Sequence, residues 1–410
     1  MHSPGTSNGT TGPWNISDAG PKFGSMKLPT AIIRAALMLA MISALLLIAA
    51  LPAQAQEAVL YNFTGGSDGA NPQSNLTFDS AGNLYGTTPG GGLGYGVVFE
   101  ISPNGGWHET VLYSFTGGAD GSSPSGPVIF DNLGNLYGTT DSGGAYGYGV
   151  VFELSPTGAS WTETVLCTFT GGYNANPING LIFDPAGNLY GTASGGAVFE
   201  LSPSGGGWTE QIIYTVMGPV GLTMDAAGNI FGVSYYNVFK LSPNGNGGWN
   251  PTVIHTFAGP PKDGSNPQGA PVLDEAGNIY GTTSAGGAKN YGTVYMLSLI
   301  TTGKKKGQWK ERILHPFADN SGGSLPRAGI LFNGPGTICL TTWSSGYRGA
   351  GTIYQLSGYR FRYKGAVWRF HYADGAHPQG SLIRDSAGNL YGTTSSGGSS
   401  NAGVVFVFTP

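Results

Sequence analysis

Few residues in this 410-residue chain are of types that do chemistry, and most of those few are copied along it. After residue 55 the histidines are His108, His255, His315, His371 and His377, and no H-x-x-x-H, H-E-x-x-H or C-x-x-C spacing occurs. Glu100, Glu153 and Glu200 each follow a Phe, and Glu109, Glu163 and Glu210 each follow shortly after a Trp. A carboxylate that recurs in this way reads as structure, because an active site needs its groups once. Near the end Arg327, His377 and Arg384 depart from the other copies, and Asp374 lies beside them. Two guanidinium groups beside an imidazole and a carboxylate suit an anionic or carboxylate ligand, or proton transfer in a lyase or hydrolase. The structural alternative is a drifted copy in which Arg384 pairs with a neighbouring Asp.

The elements that position these residues come from a repeat. Gly82-Asn83, Gly134-Asn135, Gly187-Asn188, Gly228-Asn229, Gly277-Asn278 and Gly388-Asn389 mark six copies, with a degraded seventh at Gly336-Thr337. They lie 41 to 59 residues apart. Each copy holds four short apolar runs, for example NLTFD (75–79), NLYGTT (83–88), GVVFEI (96–101) and TVLYSF (110–115). Runs a to d are rich in Val, Ile, Tyr, Phe and Thr and are bounded by Gly, Pro, Asn and Ser, so they read as strands. Four strands at this period predict an all-β, seven-bladed propeller. A solenoid is the rival, but it needs atypical capping repeats, and the ends here are complementary instead. A lone run d, VLYNF at 59–63, precedes the first blade, and the chain stops after the seventh run c. The N-terminal strand is therefore expected to complete the last blade and close the ring, leaving no exposed edge.

Local physics fits that plan. Asp79, Asp131, Asp184, Asp225, Asp274 and Asp385 begin the turn between runs a and b, where an Asx side chain bonds backbone N–H groups ahead of it. A Ca²⁺ site built from these carboxylates is the alternative, but the turn accounts for them, so no metal and no cofactor is expected. Gly86, Gly138, Gly191, Gly232, Gly281 and Gly392 sit inside run b, which implies a bulge or a close neighbour. Trp107, Trp161, Trp208, Trp249 and Trp309 read as packing anchors, and Cys167 and Cys339 as small buried apolar residues. His255 and His315 take the Tyr position of run d and read as structural.

With run a innermost, the d–a and b–c loops share one face. The residue after the d–a loop proline then rings the mouth of the central channel. That position is Gln73, Ser125, Ile178, Val220, Gln268, Arg327 and Gln379. Tyr95, Tyr148, Tyr291 and Tyr347 in the b–c loops, with the loop Asp residues, form a candidate sugar-binding groove, since an aromatic ring offers an apolar face and a polar edge. The alternative is that these are turn residues repeated with the blade.

Composition excludes several classes. The chain has 72 Gly and 26 Pro but 12% aromatic and only 10% charged residues, which fits neither a disordered nor a collagen-like chain. Interior Gly at this density also opposes helix. A formal net charge of −4 does not suit a nucleic-acid binder. Lys304, Lys305, Lys306, Lys310 and Arg312, and Arg360, Arg362, Lys364 and Arg369, lie in long c–d connections and read as solvated loops on the opposite face.

Residues 35–51 form one long apolar run, preceded by Lys27 and Arg34 and followed by Ala53-Gln54-Ala55. This is the layout of a secretory signal peptide over 26–55, beginning at Met26. Residues 1–25 then read as a disordered leader or a mis-assigned start, and 56–410 as a single domain. A retained membrane anchor is the alternative.

The string GNLYGTT…GGxxxYGVVFEL…W-x-E-TVLYSF-TGG-x-DG-x-x-P resembles the GloVer tandem repeat of exported bacterial proteins, over essentially all of 57–410. Its P-x-x-(Leu/Val)-x-x-D-x-x-G-N core more loosely resembles NHL-type propellers. The resemblance implies export and the propeller fold, but no assigned activity. Members often carry a C-terminal sorting signal; this sequence ends at its last strand, so release is expected. The expectation is a monomeric, secreted binding module for carbohydrate or protein, with a propeller enzyme and a purely structural surface protein as alternatives. No nucleic acid and, after signal cleavage, no membrane is expected as a partner.

Overall fold

Asp79 shows why each repeat folds as it does. Its Oδ1 accepts from the Ala81 and Asn83 amides at 2.8 and 2.9 Å, and its Oδ2 from Asn83 Nδ2 and the Tyr85 hydroxyl at 2.7 and 3.2 Å. Gly82 supplies the left-handed backbone (φ 87°) that lets the chain reverse. The same network recurs at Asp131, Asp184, Asp274 and Asp385. In these five blades the a–b strand pair thus begins at a saturated Asx turn.

The computed structural model describes residues 55–318, 322–361 and 363–410. The leader and signal peptide expected over 1–55 lie outside these residues, apart from Ala55. The first strand is β1 (Gln56–Asn62). Blade 1 then runs β2 (Thr77–Phe78), β3 (Leu84–Thr88), β4 (Val97–Ser102) and β5 (His108–Ser114). Blades 2 to 6 repeat the pattern from β6 (Ile129–Phe130) to β25 (Tyr363–Arg369), and the chain ends with β26 (Ile383–Arg384), β27 (Leu390–Thr394) and β28 (Val404–Thr409). The result is seven four-stranded antiparallel sheets. β1 pairs with β28, from Gln56 opposite Thr409 to Asn62 opposite Val404, so the N-terminal strand completes blade 7 and closes the ring.

Run a forms the inner strand of each blade. In most blades it is only two or three residues long, because one side chain faces the central cavity and the next wedges between blades. In blade 2, Ile129 lines the cavity and Phe130 meets Tyr85 of blade 1 edge-on at 4.9 Å. The core lies at the blade junctions. Phe63–Phe99, Phe115–Phe152, Phe169–Phe199 and Phe370–Phe406 are edge-to-face pairs at 5.1 to 5.2 Å between neighbouring blades. All eight rings are fully buried. Each contributes about 2–3 kcal/mol by burial and each pair about 1 kcal/mol more.

Gly86 explains the glycine inside β3. A Cβ there would stand 2.6 Å from Cζ of Phe99, so the glycine is a close approach with no bulge. On the inner side, Thr87, Thr139, Thr282, Thr341 and Thr393 each donate to a carbonyl of the next blade, namely that of Gly126, Asn179, Ala328, Gly380 and Ser74. These buried bonds seam the ring beside the cavity. Cys339 is fully buried as expected, whereas Cys167 is half-buried, and both are free thiols.

Candidate functional site

The residue before each loop proline is Asn71, Ser123, Asn176, Gly218, Asn266, Leu325 or His377, and each takes a left-handed φ of 54° to 60°. Five of their amides bond to the b–c loop of the preceding blade, at Ala402, Tyr95, Tyr148, Tyr291 and Ala350. The d–a and b–c loops are also bridged directly, Ala70 to Gly90 and Ala376 to Ser396. They share one face, as expected, and this stapling fixes the residue that follows the proline.

All seven post-proline residues line one central cavity of about 950 Å³. Around the ring, Gln268, Arg327, Gln379 and Gln73 form one contiguous arc, and Ile178 and Val220, with Tyr235 lying against Gly218, form the other. Asn75, Asn179 and Asn266 add further amides. Charge is scarce: among the described lining residues only Arg327 and Asp141 are ionisable at neutral pH. Burial raises the Asp141 carboxyl above the ordinary range.

Arg327 is the most constrained of these groups. Its guanidinium carbon lies 4.2 Å from the centre of the Trp343 ring, and its Nη1 donates to Gln379 Oε1 at 3.4 Å. Trp343 stacks in turn on His377 at 4.7 Å, and the Tyr372 ring meets His377 edge-on at 5.8 Å. His377 Nδ1 lies 2.8 Å from Ser396 Oγ. Burial, with the Arg327 charge adding to it, pushes the imidazole below its ordinary range.

These four candidate residues therefore divide. Arg327, Gln379 and His377 converge on Trp343. Asp374 instead accepts from the His371 amide at 2.6 Å, at the outer side of the blade. Arg384 donates to Asn333 at 3.2 Å and is not among the cavity-lining residues. Its partner is an Asn where the sequence suggested an Asp. The surrounding set has changed together: Asn333, Thr337 and Cys339 replace the Asp, Asn and Tyr of other blades, and Arg384 replaces the Phe that wedges against that Tyr.

The four tyrosines stand away from the cavity lining. Tyr95 and Tyr148 lie against Gly117 and Gly171, Tyr347 packs on His371 at 4.6 Å, and Tyr291 packs against the cluster around Leu314 and Phe317. Tyr95, Tyr148 and Tyr347 remain exposed at the loop face. Trp343, Asp141 and Tyr235 were not singled out from sequence. Trp343 was findable, since it replaces the Pro89, Asp141, Ser284 and Ser395 of other copies.

The closed ring of seven four-stranded blades around one lined cavity defines a seven-bladed β-propeller. The chain belongs to the Gloeobacter/Verrucomicrobia repeat family, whose profile matches residues 48–237 and 219–410. No curated protein sequence matches it. Among solved structures it is similar to virginiamycin B lyase from Staphylococcus aureus, at 14% identity and a TM-score of 0.56, covering 87% of this chain and 99% of that one. A streptogramin B lyase aligns with a TM-score of 0.57 at 14% identity, covering 87% and 97%. The WD40 propeller domain of Doa1 aligns with a TM-score of 0.54 at 13% identity, covering 86% and 95%. At these identities the likeness is one of fold.

Proposed function

We propose that this propeller is an exported, monomeric binding module that takes a carbohydrate in its central cavity. The supporting observation is the two-sided lining: an arc of Gln268, Arg327, Gln379 and Gln73 facing an arc of Ile178, Val220 and Tyr235. Amide side chains both donate and accept, which matches the hydroxyls of a sugar. An apolar and aromatic wall matches its C–H face. A cavity of about 950 Å³ is of the size that encloses a ligand of several rings. Arg327, held against Trp343 with one N–H on Gln379, favours a sugar that carries a carboxylate. The N-terminal apolar run and the family's exported members support the extracellular setting.

A glycan array probed with residues 56–410 tests this reading. The expected hits are a restricted set of glycans, with acidic sugars prominent among them. An array without saturable binders overturns it.

A further inference from the structure

The outer strands carry a second recurring arrangement, away from the cavity. A d-strand residue, a carboxylate of the following loop and a Glu of the next blade's d strand meet at the blade junction. Tyr61 donates to Asp68 Oδ2 at 3.0 Å, with Glu109 on the next blade. Tyr113 donates to Asp120 Oδ2 at 3.2 Å, with Glu163 on the next blade. There the hydroxyl donates to the Asp carboxylate, while Oε1 of Glu109 and of Glu163 stays buried without a hydrogen-bond partner, so an orphaned Glu oxygen is common to these junctions.

Between blades 4 and 5 the same place holds His255, Asp263 and Glu311. His255 Nε2 lies 3.3 Å from Asp263 Oδ2 and 3.8 Å from Glu311 Oε1, and the three ligand atoms all fall within 4.8 Å of one another. Nε2 and Oε1 are fully shielded from solvent and lack hydrogen-bond partners. The buried imidazole nitrogen beside two carboxylates is what this junction adds to the others. The Tyr61 and Tyr113 junctions act as internal controls, because they keep the carboxylates and lack the imidazole. Among the described residues, no other group of three offers ligands this close.

We propose that His255, Asp263 and Glu311 form a binding site for a divalent transition-metal cation of the zinc class. One imidazole nitrogen and two carboxylate oxygens are the ligands such an ion takes. Metal–ligand bonds of about 2.0–2.2 Å place tetrahedral ligands somewhat over 3 Å apart, close to the separations seen here. Calcium and magnesium want six or more oxygens, and an imidazole does not suit them. Asp263 is pre-oriented: its Oδ2 also accepts from the Ala258 amide at 2.7 Å, and its Oδ1 accepts from the Gly264 amide. Such outer bonds hold a ligating carboxylate in place. The ion would tie the d strand of blade 4 to that of blade 5 and leave its fourth position to water.

The test is calorimetric titration of Zn²⁺ into the chelator-treated protein, with Co²⁺ absorption as a second readout. The expected result is one equivalent bound, a rise in melting temperature, and visible bands typical of four-coordinate Co²⁺ that Zn²⁺ displaces. His255→Tyr restores the residue of the Tyr61 and Tyr113 junctions, so it should fold, and it should weaken binding at least about tenfold. Glu311→Gln should do the same, and His255→Gln serves if the Tyr variant does not fold. Absence of saturable binding, or binding unchanged in the His255 variants, overturns the site.

Discussion

The guanidinium of Arg327 stands 4.2 Å above the ring of Trp343, and both depart from the repeat. Arg327 occupies the cavity position that other blades fill with Gln, Ser, Ile or Val. Trp343, from a neighbouring loop, supplies a flat support for it. Cation–π contact of this kind contributes roughly 0.5–2 kcal/mol and removes rotamer freedom that a ligand would otherwise have to freeze. Trp343→Ser, which installs the residue of blades 5 and 7, should leave the fold intact. It should lower affinity for acidic glycans by about five- to tenfold while sparing neutral ones. Paired titrations with one acidic and one neutral glycan check this, and equal losses for both would argue against it.

Arg384 belongs to a structural exchange. Its bond runs to Asn333 at the blade 6–7 junction, and the side chain is exposed. A single exposed polar bond contributes under about 1 kcal/mol. Arg384→Ala should therefore change stability by less than about 1 kcal/mol and leave ligand binding unchanged. Denaturant melts and a ligand titration measure both, and a large loss of binding would return Arg384 to the site.

Gly86 carries the backbone past Phe99 with no room for a methyl group. Phe99 is fully buried and cannot swing aside. Gly86→Ala should cost about 2–3 kcal/mol as an overpacking defect. A drop in the denaturation midpoint with an unchanged slope is the expected signature.

Stability should fall as pH rises. Burial, with Asp68, Asp120 and Asp374 adding to it, raises Glu109 and Glu163 to about 7 and Glu57 to about 8, from the ordinary carboxyl value near 4.5. The folded state therefore holds protons that the unfolded chain releases near pH 4.5. The stabilisation is fully present below about pH 4.5 and is lost as pH rises through about 7 to 8. After allowance for partial exposure, each site contributes about 1 kcal/mol. Glu109→Gln should flatten that part of the pH–stability curve and raise the melting temperature at pH 8. A curve that keeps its slope in this variant would contradict the assignment.

The period of the glycines made the blades legible, because the Gly-Asn turn and run c survive in nearly every copy. Ring closure was legible from the unmatched run d that became β1. The cavity mouth was legible in part: its seven post-proline residues follow from blade geometry alone. Grouping Asp374 with His377 did not survive, although they are three residues apart. The turn through Gly375 (φ 121°) separates them, sending Asp374 to His371 on the outer side and His377 to Trp343. The role of Trp343 was hidden because its partners arrive from adjacent loops 16 and 34 residues away. His255 looked structural because its carboxylate neighbours come from a loop and from another blade.

The most direct measurement is calorimetric titration of the tightest-binding array glycan into wild-type protein and into Arg327→Ala/Gln379→Ala. Both side chains line the cavity and touch each other, and neither belongs to the buried core. Carbohydrate binding in the central cavity predicts saturable one-to-one binding by the wild type, weakened at least about tenfold in the folded double variant. Equal affinity in the two proteins would contradict it.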